Sequence, residues 1–160
     1  MQGYLSSEPY AVERESGIKP DVWLIADAGY NAYSTTIDVM AQTIADRPEA
    51  VKCFVDGSAI GWYNFLYHDN TAAVGMIKAD NPDMSDAAIT YAIAVMKEHG
   101  IADSGDTLTL GIGAMTDARM EEFYNSMVES GVVPAGLDWK ASYTLDFVNQ
   151  GVGLDLRPAG

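Results

Sequence analysis

Few residues in this 160-residue chain have a type and spacing suited to chemistry. Glu8 stands directly before Pro9, between Tyr4 and Tyr10, at the end of Gly3-Tyr4-Leu5-Ser6-Ser7. A carboxylate at a strand end can accept hydrogen bonds from a ligand amine or ring N–H. The plainer role is a structural acid paired with a backbone amide or with Arg14. Tyr30 and Tyr33 follow an apolar run through a glycine turn at Gly29. A tyrosine offers a flat face for stacking and a hydroxyl for orientation, although core or rim packing is its commoner use. Gly111-Ile112-Gly113 precedes a helix, but Thr116 occupies the place of the third glycine of a dinucleotide loop. No ribose-binding acid follows at the right distance, and a turn before a capped helix accounts for the two glycines.

Other chemistry finds no support. The sequence holds no nucleophile elbow, no H-E-x-x-H and no Cys/His arrangement, so no catalytic residue is expected. His68, His99 and the lone Cys53 form no cluster with metal-ligand spacing, and neither a metal nor a cofactor is expected. A net charge of −14 argues against nucleic acid and against an anionic membrane as partners, because both demand clustered Lys and Arg. No run approaches the ~18 apolar residues of a membrane-spanning helix.

These residues must be positioned by a framework, and its clearest part is Arg47 to Tyr67. Val51, Phe54, Val55, Ala59, Trp62, Phe65 and Leu66 recur there at steps of three and four, which lays one apolar stripe along a helix. Pro48 suits a first turn and Glu49 suits the positive end of the helix dipole. Gly57 and Gly61 each cost about 1 kcal/mol in a helix interior, which a close crossing with another element would explain. Cys53 and Trp62 are expected in the core.

Around this helix, Gly3–Tyr10, Asp21–Ala26 and Ser34–Met40 read as strands, and Thr107–Gly111 reads as briefly strand-like. Ala11–Ser16 reads as a short helix closed by Gly17. Asn70 is expected to cap a short helix through Lys78. Ser85 caps a helix to about His99, with Ile89, Ala92, Ile93 and Met96 inward and Gly100 beyond its end. Thr116 caps a last helix to about Ser130, followed by Gly131. Trp139–Val148 is a short helix or an extended segment. One α/β domain over residues 1–150 is expected, with a loose tail over 151–160.

The order of Gly3-Tyr4-Leu5-Ser6-Ser7-Glu8-Pro9-Tyr10, Asp21 to Tyr33 and Ala45 to Trp62 resembles the NMT1/THI5-like family of periplasmic substrate-binding proteins. Asn81-Pro82, Gly111 to Thr116 and Arg119 continue the match, so it covers about Gly3 to Asn149. The resemblance implies an α/β, type II periplasmic-binding-protein-like fold, here partial, helix-rich and with a small sheet. It implies the solute-binding component of an ABC transporter, with a permease as partner and a small heteroaromatic ligand such as a thiamine-precursor pyrimidine. Glu8, Tyr10, Tyr30 and Tyr33 would then be ligand-binding residues. Scarce Lys and Arg favour a neutral or cationic ligand over a sulfonate or nitrate. A pyrimidine-synthesising branch of the family uses an iron-associated cysteine-rich motif, which one cysteine cannot supply. A sensing or interaction module is a third reading.

No signal peptide opens the chain, and the family's first section has no counterpart in it. The expectation is therefore a C-terminal part of a longer periplasmic parent, with self-association through an exposed lobe face.

Overall fold

The structure is a computed structural model that describes residues 1–158. In chain order its helices are α1 (Glu8–Ser16), α2 (Ala41–Asp46), α3 (Pro48–Tyr67), α4 (Thr71–Asp80), α5 (Asp86–Glu98), α6 (Thr107–Leu110) and α7 (Asp117–Glu129). Single 3-10 turns stand at Ile25–Ala28, Trp139–Ser142 and Leu154–Leu156.

No strand forms among the described residues, so the expected α/β architecture with a small sheet is overturned, and with it the type II periplasmic-binding-protein fold. The reasons differ from segment to segment. Pro9 lies in the first turn of α1, where its missing amide costs nothing, so it starts a helix and does not close a strand. Asp21–Leu24 and Thr35–Met40 keep β-type composition but find no ladder partner, and β propensity expresses itself only against a neighbouring strand. Thr107–Leu110 winds into α6, where the Leu110 amide bonds the Asp106 carbonyl at 2.9 Å.

Helix α3 is the organising element, as its periodicity predicts. Val51, Ala59, Tyr63 and Leu66 are buried along one face. Tyr63 is the most deeply enclosed large side chain, although the stripe omitted it. Phe54 and Cys53 are exposed, and Trp62 is partly so, which corrects their expected core positions. A Cβ built on Gly57 or Gly61 would meet nothing within 4 Å, so no close crossing explains these glycines.

Two of the three expected caps form, whereas Asn70 makes no side-chain cap on α4 and donates its Nδ2 to the Phe65 carbonyl at 2.9 Å. The Ser85 hydroxyl accepts from the Ala88 amide at 3.1 Å, and the Thr116 hydroxyl accepts from the Arg119 amide at 3.3 Å. Past α5, the Ile101 amide returns to the Met96 carbonyl at 2.9 Å, and past α7 the Val132 amide returns to Met127 at 2.9 Å. Both closures use a left-handed glycine, Gly100 or Gly131. Ile89 and Val95 are the buried residues of α5.

The chain end is docked up to Arg157, contrary to the expected looseness of residues 151–160, of which 159 and 160 lie outside the described residues. The Gly151 amide bonds the Leu110 carbonyl at 2.9 Å, and His68 Nε2 lies 2.6 Å from the Leu156 carbonyl. Asp103, itself buried, accepts from the Tyr67 hydroxyl at 2.8 Å and pairs with Arg157 Nε at 2.9 Å. Gly153 turns the segment at φ +80°, where an added Cβ would stand 2.7 Å from the Tyr63 ring.

Candidate functional site

A cleft of about 700 Å3 opens beside α3. One wall is formed by α3, with the buried Val51 and Ala59 and, beside them, Val55, Ser58 and Trp62. The second is the extended run Thr35–Val39 entering α2. The third is the turn Ile112–Met115, with Met120 of α7 behind it. The Ala141–Thr144 segment with Phe147 and Val148 completes the enclosure. The lining is mainly apolar and aromatic, Asp38 is its one charged residue, and no Lys or Arg belongs to it.

The turn Ile112–Met115 is held from two sides. Asn149 grips Met115 twice: its Oδ1 accepts the Met115 amide at 3.1 Å, and its Nδ2 donates to the Met115 carbonyl at 2.7 Å. The Thr116 amide donates to the Tyr33 hydroxyl oxygen at 2.9 Å. That bond uses Tyr33 as an acceptor, and its hydroxyl proton has no acceptor among the described residues.

Tyr33 is positioned in turn by Arg119. The guanidinium lies 4.3 Å from the centre of the Tyr33 ring. It also donates to the Asn31 carbonyl at 3.1 Å, to Asn31 Oδ1 at 2.9 Å and to the Ala32 carbonyl at 3.2 Å. A cation thus stands behind the ring without lining the cleft. Beside it, the Tyr143 hydroxyl donates to Asp117 Oδ1. Poor hydration of the phenol, that hydrogen bond and the negative charges of Asp117 and Glu121 push the Tyr143 hydroxyl up to about 12.

The four residues singled out in the sequence do not converge. Tyr33 lines the cleft, whereas Glu8, Tyr10 and Tyr30 are not among its lining residues. Glu8 accepts from the Tyr4 amide at 2.6 Å and from the Ser7 hydroxyl. Those donors, Ser7 first, hold its carboxyl below the usual carboxylate range. This is the structural role with a backbone amide, and Arg14 pairs instead with Glu15 at 3.4 Å. Tyr10 packs on Tyr91 of α5 with ring centres 5.1 Å apart. Tyr30 meets Phe123 of α7 edge to face at 5.9 Å.

Sequence reasoning missed Asp38, Trp62, Tyr143 and Phe147 as cleft residues. Trp62 carried a usable signal, since it sits at the margin of the α3 stripe and a large ring there can be half in and half out. The other three lie on irregular segments with no periodicity to read. Among the described residues, no group of three or more His, Cys, Asp or Glu side chains could hold a metal ion. No family model matches the chain, and neither a curated protein nor a solved structure was found similar to it.

Proposed function

We propose that this chain is the solute-binding component of an ABC importer and takes a neutral or cationic heteroaromatic molecule, such as a thiamine-precursor pyrimidine, in the cleft beside α3. The supporting observation is the lining: Trp62, Tyr33, Tyr143 and Phe147 surround a space with Asp38 as its only charge. A volume near 700 Å3 is in the range of small-molecule sites, which are mostly apolar with a few placed polar groups. The free proton of the Tyr33 hydroxyl suits a ring nitrogen or carbonyl, and the Asp38 carboxylate suits an exocyclic amine. An anionic solute would meet no cation on the walls. The proposal rests on the cleft and the sequence resemblance, not on a two-lobed sheet fold, which the described residues lack. Export to the periplasm and docking on a permease belong to the same proposal.

Calorimetric titration with an aminopyrimidine, a neutral aromatic lacking the amine and an aromatic sulfonate tests it. The aminopyrimidine should bind, and Trp62→Ala should weaken it by about tenfold or more, in line with the loss of one aromatic contact. Asp38→Asn should remove the preference for the amine. Absence of binding by all three at millimolar concentration would sink the proposal, as would stronger binding of the sulfonate.

A further inference from the structure

Phe147 and Val148 line the cleft, and the next residue, Asn149, begins a strap that runs to Arg157. Asn149 stands at φ +64°, and no other non-glycine among the described residues has a positive φ. Left-handed backbone is costly for most side chains and is tolerated best by Asn. It delivers the Asn149 amide to both backbone groups of Met115. Two positions on, the Gly151 amide bonds the Leu110 carbonyl, and a Cβ on Gly111 would stand 3.3 Å from the Val152 carbonyl oxygen. The strap is thus joined to both ends of the cleft-wall turn Ile112–Met115. Tyr63 lies beneath the two: Gly153 of the strap approaches its ring, and the Ile112 backbone stands near its hydroxyl. The strap's far end is held by groups that line no part of the cleft. His68 Nε2 donates to the Leu156 carbonyl at 2.6 Å, and Arg157 Nε lies 2.9 Å from Asp103.

We propose that the strap Asn149–Arg157 is a latch for the cleft: it opens together with the turn Ile112–Met115, and a solute in the cleft holds both shut. The solute half of this inference rests on the cleft being a binding site, as proposed above. The only regular structure within the strap is the 3-10 turn Leu154–Leu156, and such a turn has little stability of its own. A segment held by a few bonds opens at lower free energy than a long packed helix such as α3. The docked state also leaves the Tyr63 hydroxyl without a hydrogen bond of ordinary geometry. Opening lets water reach that hydroxyl, which offsets part of the bonds lost. It also withdraws Phe147, Val148 and Met115 from around the solute, so the open state binds less well. By linkage, the solute then favours the docked strap by the same factor.

Amide hydrogen exchange of the full chain, followed by NMR across rising but sub-denaturing urea, tests this. In the free chain, the Gly151 and Met115 amides should exchange through one shared opening, at lower free energy than the central amides of α3. Arg157→Gln should speed both by the same factor, about tenfold. An aminopyrimidine at about ten times its Kd should slow the Gly151 amide by about tenfold, although Gly151 does not line the cleft. The inference is overturned if Gly151 and Met115 exchange only when α3 does, if Arg157→Gln speeds Gly151 alone, or if bound aminopyrimidine leaves Gly151 unchanged. Failure of the aminopyrimidine to bind would instead sink the proposed function, and the free chain would still decide whether strap and turn open as one.

Discussion

Arg157, close to the end of the chain, places its Nε 2.9 Å from Asp103 Oδ2, in the loop between α5 and α6. The Asp103 side chain is almost fully enclosed, and the same carboxylate accepts from Tyr67 and Thr107. This pair fastens the last segment over α3 and α6. Removing one partner of a fully buried pair costs about 3–5 kcal/mol. Arg157 is about a third exposed, so water screens what its loss leaves behind. Arg157→Gln should cost about 1–2 kcal/mol in urea unfolding, and Asp103→Ala about 2–3 kcal/mol because Tyr67 and Thr107 also lose an acceptor. Stability equal to that of the parent in both variants would show that the segment does not depend on the pair.

The glycines divide by conformation. Gly153→Ala forces a side chain into left-handed backbone and within 2.7 Å of the Tyr63 ring, so a loss of about 2 kcal/mol or more is expected. Gly57→Ala and Gly61→Ala enter open space in a helix interior and should each stabilise by about 0.5–1 kcal/mol. Thermal or urea unfolding of the three variants checks the contrast. A destabilising Gly57→Ala would reveal a neighbour that the fold of this chain does not supply.

Tyr63 is wholly enclosed, and its hydroxyl makes no hydrogen bond of ordinary geometry among the described residues, although the Ile112 backbone stands close enough to favour its ionised form. A buried unsatisfied group costs about 1–3 kcal/mol, so Tyr63→Phe should be neutral or stabilising by up to about 1 kcal/mol after relaxation. Tyr63→Ala should instead cost several kcal/mol, because it empties the centre of α3's buried face. Unfolding curves of the pair separate the ring from its hydroxyl. A large loss in Tyr63→Phe would mean that the oxygen is bonded in solution.

Tyr143 sets an alkaline limit. Its folded pKa of about 12 lies above the value of 10.0 that it has without neighbours. The stabilising contribution is therefore complete below pH 10 and is lost as the pH rises through about 12. Spectroscopic titration of phenolate in Tyr143→Phe should lack one late-ionising tyrosine of the parent. Its stability should also fall less steeply across that window. The carboxyl of Glu8 works in the opposite sense: held low by Ser7 and Tyr4, it contributes above about pH 4.5 and loses that contribution as the pH falls through its folded pKa. Glu8→Gln should flatten the acid limb of stability and leave binding in the cleft unchanged, since Glu8 does not line it.

What the sequence determined by itself is local. Spacing placed α3, hydroxyl residues placed the starts of α5 and α7, and glycines placed their ends, because each signal is satisfied within one or two helical turns. Strand formation was not decidable in the same way. Val22-Trp23-Leu24-Ile25 has strand composition, yet a ladder requires a second segment in register, and the fold places none beside it. The cleft likewise depends on distant contacts. Tyr33 lines it because Arg119 and Thr116, more than eighty positions away, hold its ring and hydroxyl. Glu8 leaves the site because its own turn consumes the carboxylate. The same long-range closure docks the chain end, where Asp103 and Arg157 meet across a separation that no local pattern encodes.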